Sequence, residues 1–308
     1  HGGAELFFEW LAGKFHSEDV SQMLCIKPYK DRMERLATEG ITLQRCGFRP
    51  VMKLFDTCRI DRQVKQFSPT VVLSWMNRAT SFTPSGNWTH VARLGGYYNL
   101  KYYQKCDWLV GNTRGIADWL VQQGWPAHKV HHQVNFVPAS EGNAAPRSAF
   151  DTDEDCPLIV ALGRLHINKG FDTLLHALAG TKEGILWLAG DGPERLRLEA
   201  LSEELGIARR VRFLGWQADP QGIIAAADLF ICPSRYEPFG NVIAEAFACG
   251  KPIIATRSAG AVEYINDGSD GVLVAIDDAL ALATEIDQLI TNKAAAKKLG
   301  TAAYESWN

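Results

Sequence analysis

The sequence has no apolar run near the ~20 residues that a membrane span needs, no CxxC pair, no internal repeat and no low-complexity tract. No signal-peptide pattern opens it. Its seven cysteines, at 25, 46, 58, 106, 156, 232 and 249, are scattered and odd in number. That argues against a disulfide framework or a structural zinc site and suits a reducing compartment. The 308 residues are 46% apolar and 22% charged, which is neither fibrous nor disordered, and the length makes two domains the default. A soluble cytoplasmic protein is expected.

Charge is present but uneven. Residues 1–150 carry 18 Lys and Arg against 12 Asp and Glu, and residues 151–308 carry 14 against 23. The segment Lys27–Lys65 holds ten of the bases and five acids. A basic first half suits an anionic ligand or a negatively charged surface, although solvated helix faces are a plainer account. Nucleic acid is not expected, because the bases alternate with acids and no reading motif accompanies them.

Apolar runs and breakers predict alternating strands and helices. Strands are expected at Gln22–Ile26, Ile41–Cys46, Thr70–Met76, His90–Leu94, Trp108–Val110 and Val130–Phe136, with helices at Lys30–Glu39, Met52–Phe67 and Gly115–Gln123. The Pro/Gly/Ala/Asp-rich stretch Pro138–Pro157 reads as a linker. Beyond it, strands Leu158–Leu162, Ile185–Ala189, Val211–Leu214, Leu229–Cys232, Ile253–Ala255 and Val272–Ile276 alternate with helices. Short, wholly apolar strands joined by helices imply a parallel sheet covered on both faces. The expected fold is α/β, two Rossmann-like doubly wound domains facing a cleft, with chemistry in the loops beyond the strands' carboxyl ends. The expected divisions are 1–140 for an acceptor-side domain, 141–157 for a linker, 158–292 for the second domain and 293–308 for the start of a helix. Both ends read as unfinished: a glycine turn, Gly2-Gly3-Ala4-Glu5, runs into a helix with no strand before it, and residues 304–308 stop inside a helix.

Three loops could carry chemistry. Gly163-Arg164-Leu165-His166-Ile167-Asn168-Lys169-Gly170 places a guanidinium and an ammonium at a strand's carboxyl end, well placed to grip a diphosphate, though a solvated polar loop reads the same way. Ala189-Gly190-Asp191-Gly192-Pro193 lacks the third glycine of a dinucleotide fingerprint, Arg195 standing there instead, so a tight turn with a helix start explains it as well. That absence disfavours a nucleotide-dependent oxidoreductase. The richest stretch runs from Pro233 to Ala246. In it the amides of Phe239, Gly240, Asn241 and Val242 open a helix and make a ready anion site. Glu245, one turn further in, can accept both hydroxyls of a ribose, and Glu237 can reach hydroxyls of a sugar beyond the phosphates. Alone, each acid could equally be a helix-stabilising or loop charge.

Taken in order, Gly163-Arg164…Lys169-Gly170, Ala189–Pro193, Val211–Gly215, Glu237 and Glu245 with seven residues between them, Glu245–Pro252, Gly260–Glu263 and Asp267–Val274 resemble the nucleotide-binding domain of GT-B glycosyltransferases of the retaining family 4. The resemblance covers residues 158–276; in the first half only Gly2–Glu5 matches. It implies a nucleotide-sugar substrate, UDP- or GDP-linked, no further cofactor and no metal. It implies that Arg164 and Lys169 bind the diphosphate and stabilise its developing charge, with Glu245 on the ribose. Glu237 and the amides of Phe239, Gly240, Asn241 and Val242 would hold the transferred sugar and distal phosphate. Val211–Trp216 would lie near the base and Gly3 near the phosphates. The resemblance implies transfer with retention; the basic first half, for its part, would meet a glycan or lipid-linked acceptor, as in lipopolysaccharide or exopolysaccharide synthesis, with peripheral membrane contact through that half. One departure stands out: in Val91–Asn99 the sequence has glycine where relatives carry a polar residue, leaving Arg93, Tyr97 or Asn99 as substitutes. That departure and the unfinished ends motivate an alternative, a catalytically inactive nucleotide-sugar-binding protein. His128, His131 and His132, the tryptophans 88 and 216, and Tyr97, Tyr98, Tyr102 and Tyr103 near Lys101 and Lys105 read more simply as packing.

Overall fold

The computed structural model describes residues 3–137 and 143–307, with the side chains of Ala4 and Asp31 excepted. His1 and Gly2 of the opening glycine turn, and residues 138–142 of the expected linker, lie outside the described residues. The chain divides into two compact units, His1–Asn135 and Phe136–Asn308.

The first unit runs α1 (Gly3–Ser17), β1 (Met23–Ile26), α2 (Lys30–Thr38), β2 (Thr42–Arg45), α3 (Lys53–Phe67), β3 (Val71–Trp75), α4 (Met76–Phe82), β4 (Thr89–Leu94), β5 (Trp108–Gly111), α5 (Arg114–Gln122) and β6 (Val130–His132). β1 and β2 form a parallel pair, and β3-β4-β5-β6 a parallel sheet. Two expectations shift. Met76, expected to end a strand, opens α4 with φ 57°, and β6 stops at His132 instead of reaching Phe136.

The second unit runs β7 (Leu158–Leu162), α6 (Phe171–Gly180), β8 (Ile185–Ala189), α7 (Arg195–Glu204), β9 (Val211–Gly215), α8 (Pro220–Ala225), β10 (Leu229–Cys232), α9 (Asn241–Ala248), β11 (Ile253–Thr256), α10 (Ala259–Tyr264), β12 (Val272–Val274), α11 (Ala279–Thr291) and α12 (Lys293–Trp307). All its strands are parallel, in the order β12-β11-β10-β7-β8-β9. β7 shows why the sheet is covered twice. Successive side chains of a strand point to opposite faces. Ile159 and Ala161 enter one core with Leu174 and Leu178 of α6 and Ile286 of α11, whereas Leu158 and Val160 enter the other with Ile224 of α8 and Ile243 and Phe247 of α9. α6 and α9 therefore leave neighbouring strands on opposite faces. The strand order reverses between β7 and β10, and their carboxyl-end loops flank a crevice of the kind where ligands bind in such sheets.

From Arg147 onward the stretch that reads as a linker is fastened to this unit. The Arg147 guanidinium donates to the carbonyls of Cys156 and Ala226 and to Asp228, and Phe150 meets Trp187 edge-on with ring centroids 4.8 Å apart. At the other end, α12 packs back on α9, with Trp307 edge-on to Phe247. No helix among the described residues is long and apolar enough to cross a membrane.

Candidate functional site

Two loops meet where the strand order reverses. The loop after β7 makes a short 3-10 turn, Ile167–Lys169, and the loop after β10 runs from Pro233 to Gly240. The Asn168 carbonyl accepts from the amides of Arg235 and Tyr236 at 2.8 and 3.1 Å. Gly170 lies against Pro233 with φ +62°, and a Cβ there would stand 2.1 Å from the Pro233 carbonyl oxygen. Only glycine allows that approach at that backbone angle.

This contact brings together residues 68 positions apart. Lys169 Nζ donates to Glu237 Oε2, and the same oxygen accepts from Ser234 Oγ at 3.4 Å. Burial pulls the Lys169 ammonium down, but the charge and hydrogen bond of Glu237 outweigh it and leave its pKa above the usual lysine value. Lys169 thus stays a cation within the crevice. Glu245, on α9, is buried, and its Oε2 has no hydrogen-bond partner among the described residues. Burial pushes its carboxyl up to about 7, against the pull of the Lys169 charge. A buried acid with an unfilled oxygen is costly unless a ligand completes it.

The amides expected to bind an anion lie at the start of α9. Gly240 caps α9 in the left-handed conformation, φ 86°. The amides of Phe239, Gly240 and Val242 have no acceptor among the described residues, while the Ile243 amide turns back to the Gly240 carbonyl at 2.8 Å. Asn241 is the first residue of α9. The Phe239 side chain is core, packed against Tyr264, so only its backbone can face a ligand. Gly260 holds this turn in place: its amide donates to the Glu237 carbonyl at 2.8 Å.

Arg164 lies on the same loop as Lys169 but is exposed and makes no hydrogen bond or ion pair among the described residues. Gly3 belongs to the other unit, at the start of α1. The glycines of Ala189–Pro193 have a structural use. A Cβ on Gly190 would stand 1.9 Å from the Gly163 carbonyl oxygen, so this loop is glycine-rich to let the neighbouring loop lie against it. Of the candidates near the base, Trp216 is exposed just beyond β9. Trp88, which reads as packing, lies against the Phe82 core.

Arg235 was not singled out by the sequence. Its guanidinium donates to the Ile167 carbonyl (2.7 Å), both oxygens of Asp172 (2.8 and 3.1 Å) and Thr173 Oγ1 (3.1 Å), and its Nε pairs with Asp277 at 2.7 Å. One side chain thereby ties the Glu237 loop to the Lys169 loop, the start of α6 and the turn after β12. Its partners lie 42 to 68 positions away, so no local pattern could announce it.

The substitutes proposed for the glycine departure are largely occupied. Arg93 is buried in its own unit, donating to the Gln133 carbonyl and Asn135 Oδ1 and stacking over Phe7. Asn99 accepts from the Lys101 amide, and Tyr97 is half-exposed with its ring edge-on to Trp119. Among the described residues, no group of three or more His, Cys, Asp or Glu could hold a metal ion.

Two α/β units, each built on parallel strands, fit the two-domain GT-B fold of glycosyltransferases, and comparison with solved structures agrees. HepE from Anabaena, solved in complex with UDP and glucose, superposes with a TM-score of 0.85 over 99% of this chain and 90% of its own, at 21% identity. The model of the family of glycosyl transferases group 1 matches residues 145–306. The lipopolysaccharide core biosynthesis glycosyltransferases LpsE and LpsD of Rhizobium meliloti (strain 1021) are each 34% identical, over 99% of this chain and 90% of their own length. The chain belongs to the glycosyl transferases group 1 family.

Proposed function

We propose that this glycosyltransferase moves a sugar from a nucleotide diphosphate donor, UDP- or GDP-linked, to a hydroxyl of a glycan or lipid-linked acceptor, with retention, in lipopolysaccharide or exopolysaccharide synthesis. The observation that carries the reading is the Lys169–Glu237 pair beside a buried Glu245 whose Oε2 has no hydrogen-bond partner among the described residues, with the amides of Phe239, Gly240 and Val242 close by in sequence at the α9 cap. The names of LpsE and LpsD support the pathway, and the UDP bound to HepE supports the donor class.

Breaking a glycosyl–phosphate bond builds negative charge on the departing diphosphate. Lys169, the amides of Phe239, Gly240, Asn241 and Val242, and Arg164 swinging in from solvent would meet that charge as fixed or semi-fixed positive ends. Glu245 would accept the ribose hydroxyls, filling its orphan oxygen. Glu237, already turned toward Lys169, would accept from hydroxyls of the transferred sugar and so fix the sugar relative to the leaving phosphate.

The test compares wild type with Glu237→Gln by titration with UDP and GDP and by transfer from the matching sugar nucleotides to lipopolysaccharide-core acceptors. Nucleotide affinity should change only a few-fold, while transfer falls by roughly a hundredfold or more. Equal transfer by both proteins would refute the role of Glu237. Nucleotide binding with no turnover by wild type would favour an inactive sugar-nucleotide-binding protein instead.

A further inference from the structure

The first unit leaves a cluster of large apolar side chains in water. Val51 is 98% exposed, Leu54 81%, Phe55 58% and Met52 41%. They occupy the 3-10 turn Pro50–Met52 and the first turn of α3. Helical spacing puts Val51, Leu54, Phe55 and Cys58 along one side. The core side of α3 is a different set, Asp56, Ile60 and Val64. Single exposed apolar residues are ordinary, but four within five positions make a patch that water does not favour.

The charge around the patch has one sign. Arg45, Arg59 and Arg62 are exposed and make no ion pair among the described residues, whereas Lys53 Nζ lies 5.7 Å over the Phe82 ring. The acids of the same stretch are matched within it: Asp56 is buried against Arg49 at 2.9 Å, which removes Arg49 from the free charge, and Asp61 pairs with Lys65 at 2.7 Å. An apolar tip with a cationic collar matches the cross-section of an anionic bilayer, acyl chains below and phosphates at the rim. A soluble anionic glycan would engage the collar but have no use for the tip.

We propose that the 50–62 segment is a membrane-docking surface, in which Val51, Leu54 and Phe55 enter the acyl boundary of an anionic bilayer while Arg45, Arg59 and Arg62 pair with lipid phosphates. The inference rests on the proposed lipid-linked acceptor in one respect: docking there would bring the enzyme to an acceptor confined to a membrane surface.

The experiment is cosedimentation with vesicles of phosphatidylcholine, with and without phosphatidylglycerol. It uses wild type, the triple variant Val51→Ser, Leu54→Ser, Phe55→Ser, and the double variant Arg59→Glu, Arg62→Glu, each also titrated with UDP. Wild type should prefer the anionic vesicles by roughly tenfold or more and lose that preference in high salt. Each variant should lose roughly tenfold in vesicle binding with its circular dichroism and UDP affinity unchanged. Failure of wild type to bind anionic vesicles, or binding by the triple variant equal to wild type, overturns the proposal. So does a wild-type dimer in light scattering that the triple variant abolishes without any vesicle binding, because the patch is then a protein interface. UDP binding without vesicle binding sinks this surface alone, whereas vesicle binding without UDP binding or transfer sinks the enzyme reading and leaves the surface standing.

Discussion

Replacing Glu245 by Gln separates what the buried acid costs the free protein from what it offers a ligand. Its carboxyl is held at about 7 by burial, against an ordinary 4.5. Between those values the folded protein keeps a proton that the unfolded chain has released, so stability falls as pH rises through that window and is level on either side. The full difference makes ionised Glu245 a liability of about 3 kcal/mol above neutrality. Glutamine is neutral throughout. At about pH 8 the variant should therefore be more stable than wild type by up to roughly 3 kcal/mol, or about 6–12 °C in melting temperature for a unit of this size. At about pH 5, where Glu245 is protonated in wild type, the gap should nearly close. Lys169, charged across this range, contributes no slope of its own. Nucleotide binding should move the other way. A carboxylate can accept from two ribose hydroxyls and an amide oxygen from one, so UDP affinity should fall by roughly 10–100-fold at about pH 8. Calorimetry from about pH 5 to pH 8, with UDP titrations at each end, reads both effects. A melting difference that does not change with pH would refute the buried-acid reasoning, and unchanged UDP affinity would refute the ribose assignment.

Two further substitutions probe the frame around the site. Arg235→Ala leaves Asp172 and Asp277 without their shared cation. It should destabilise by about 1–3 kcal/mol and cut kcat by roughly tenfold or more with a smaller change in donor KM. Arg235→Lys, which cannot span all the partners, should recover only part of that; an Ala variant with wild-type kcat would show that the two loops hold their spacing without it. Gly170→Ala meets the Pro233 carbonyl at 2.1 Å, whereas Gly124→Ala, also at positive φ, has nothing within 4 Å. Urea unfolding should show a loss of about 1–2 kcal/mol at Gly124, the backbone cost alone, and clearly more at Gly170; equal losses would mean the loop contact is soft.

Strand positions were readable because buried parallel strands are short, wholly apolar runs, and Leu158–Leu162 and Leu229–Cys232 are such runs. The boundary at Met76 was not, because Met continues an apolar run and only the backbone turn, φ 57°, ends the strand. The stretch after Pro138 reads as a linker because few of its residues are apolar. Its attachment depends on Arg147 reaching carbonyls as far away as Ala226, which no local pattern carries.

The chemistry of the crevice was written in residue types at fixed spacing: cations before a helix, glycine at a helix cap, and acids on either side of it. The sequence alone therefore determines that Lys169, Glu237, the Gly240 cap and Glu245 are present, each on the carboxyl-end loop or following helix of an apolar strand. Tertiary structure decided their consequences. Pairing of β7 with β10 puts Lys169 beside Glu237, burial drives Glu245 toward neutrality, and Arg235 fixes the loops through partners 42 to 68 residues away. Desolvation and long-range contact depend on what surrounds a side chain in space, and a chain's order states only what surrounds it in sequence.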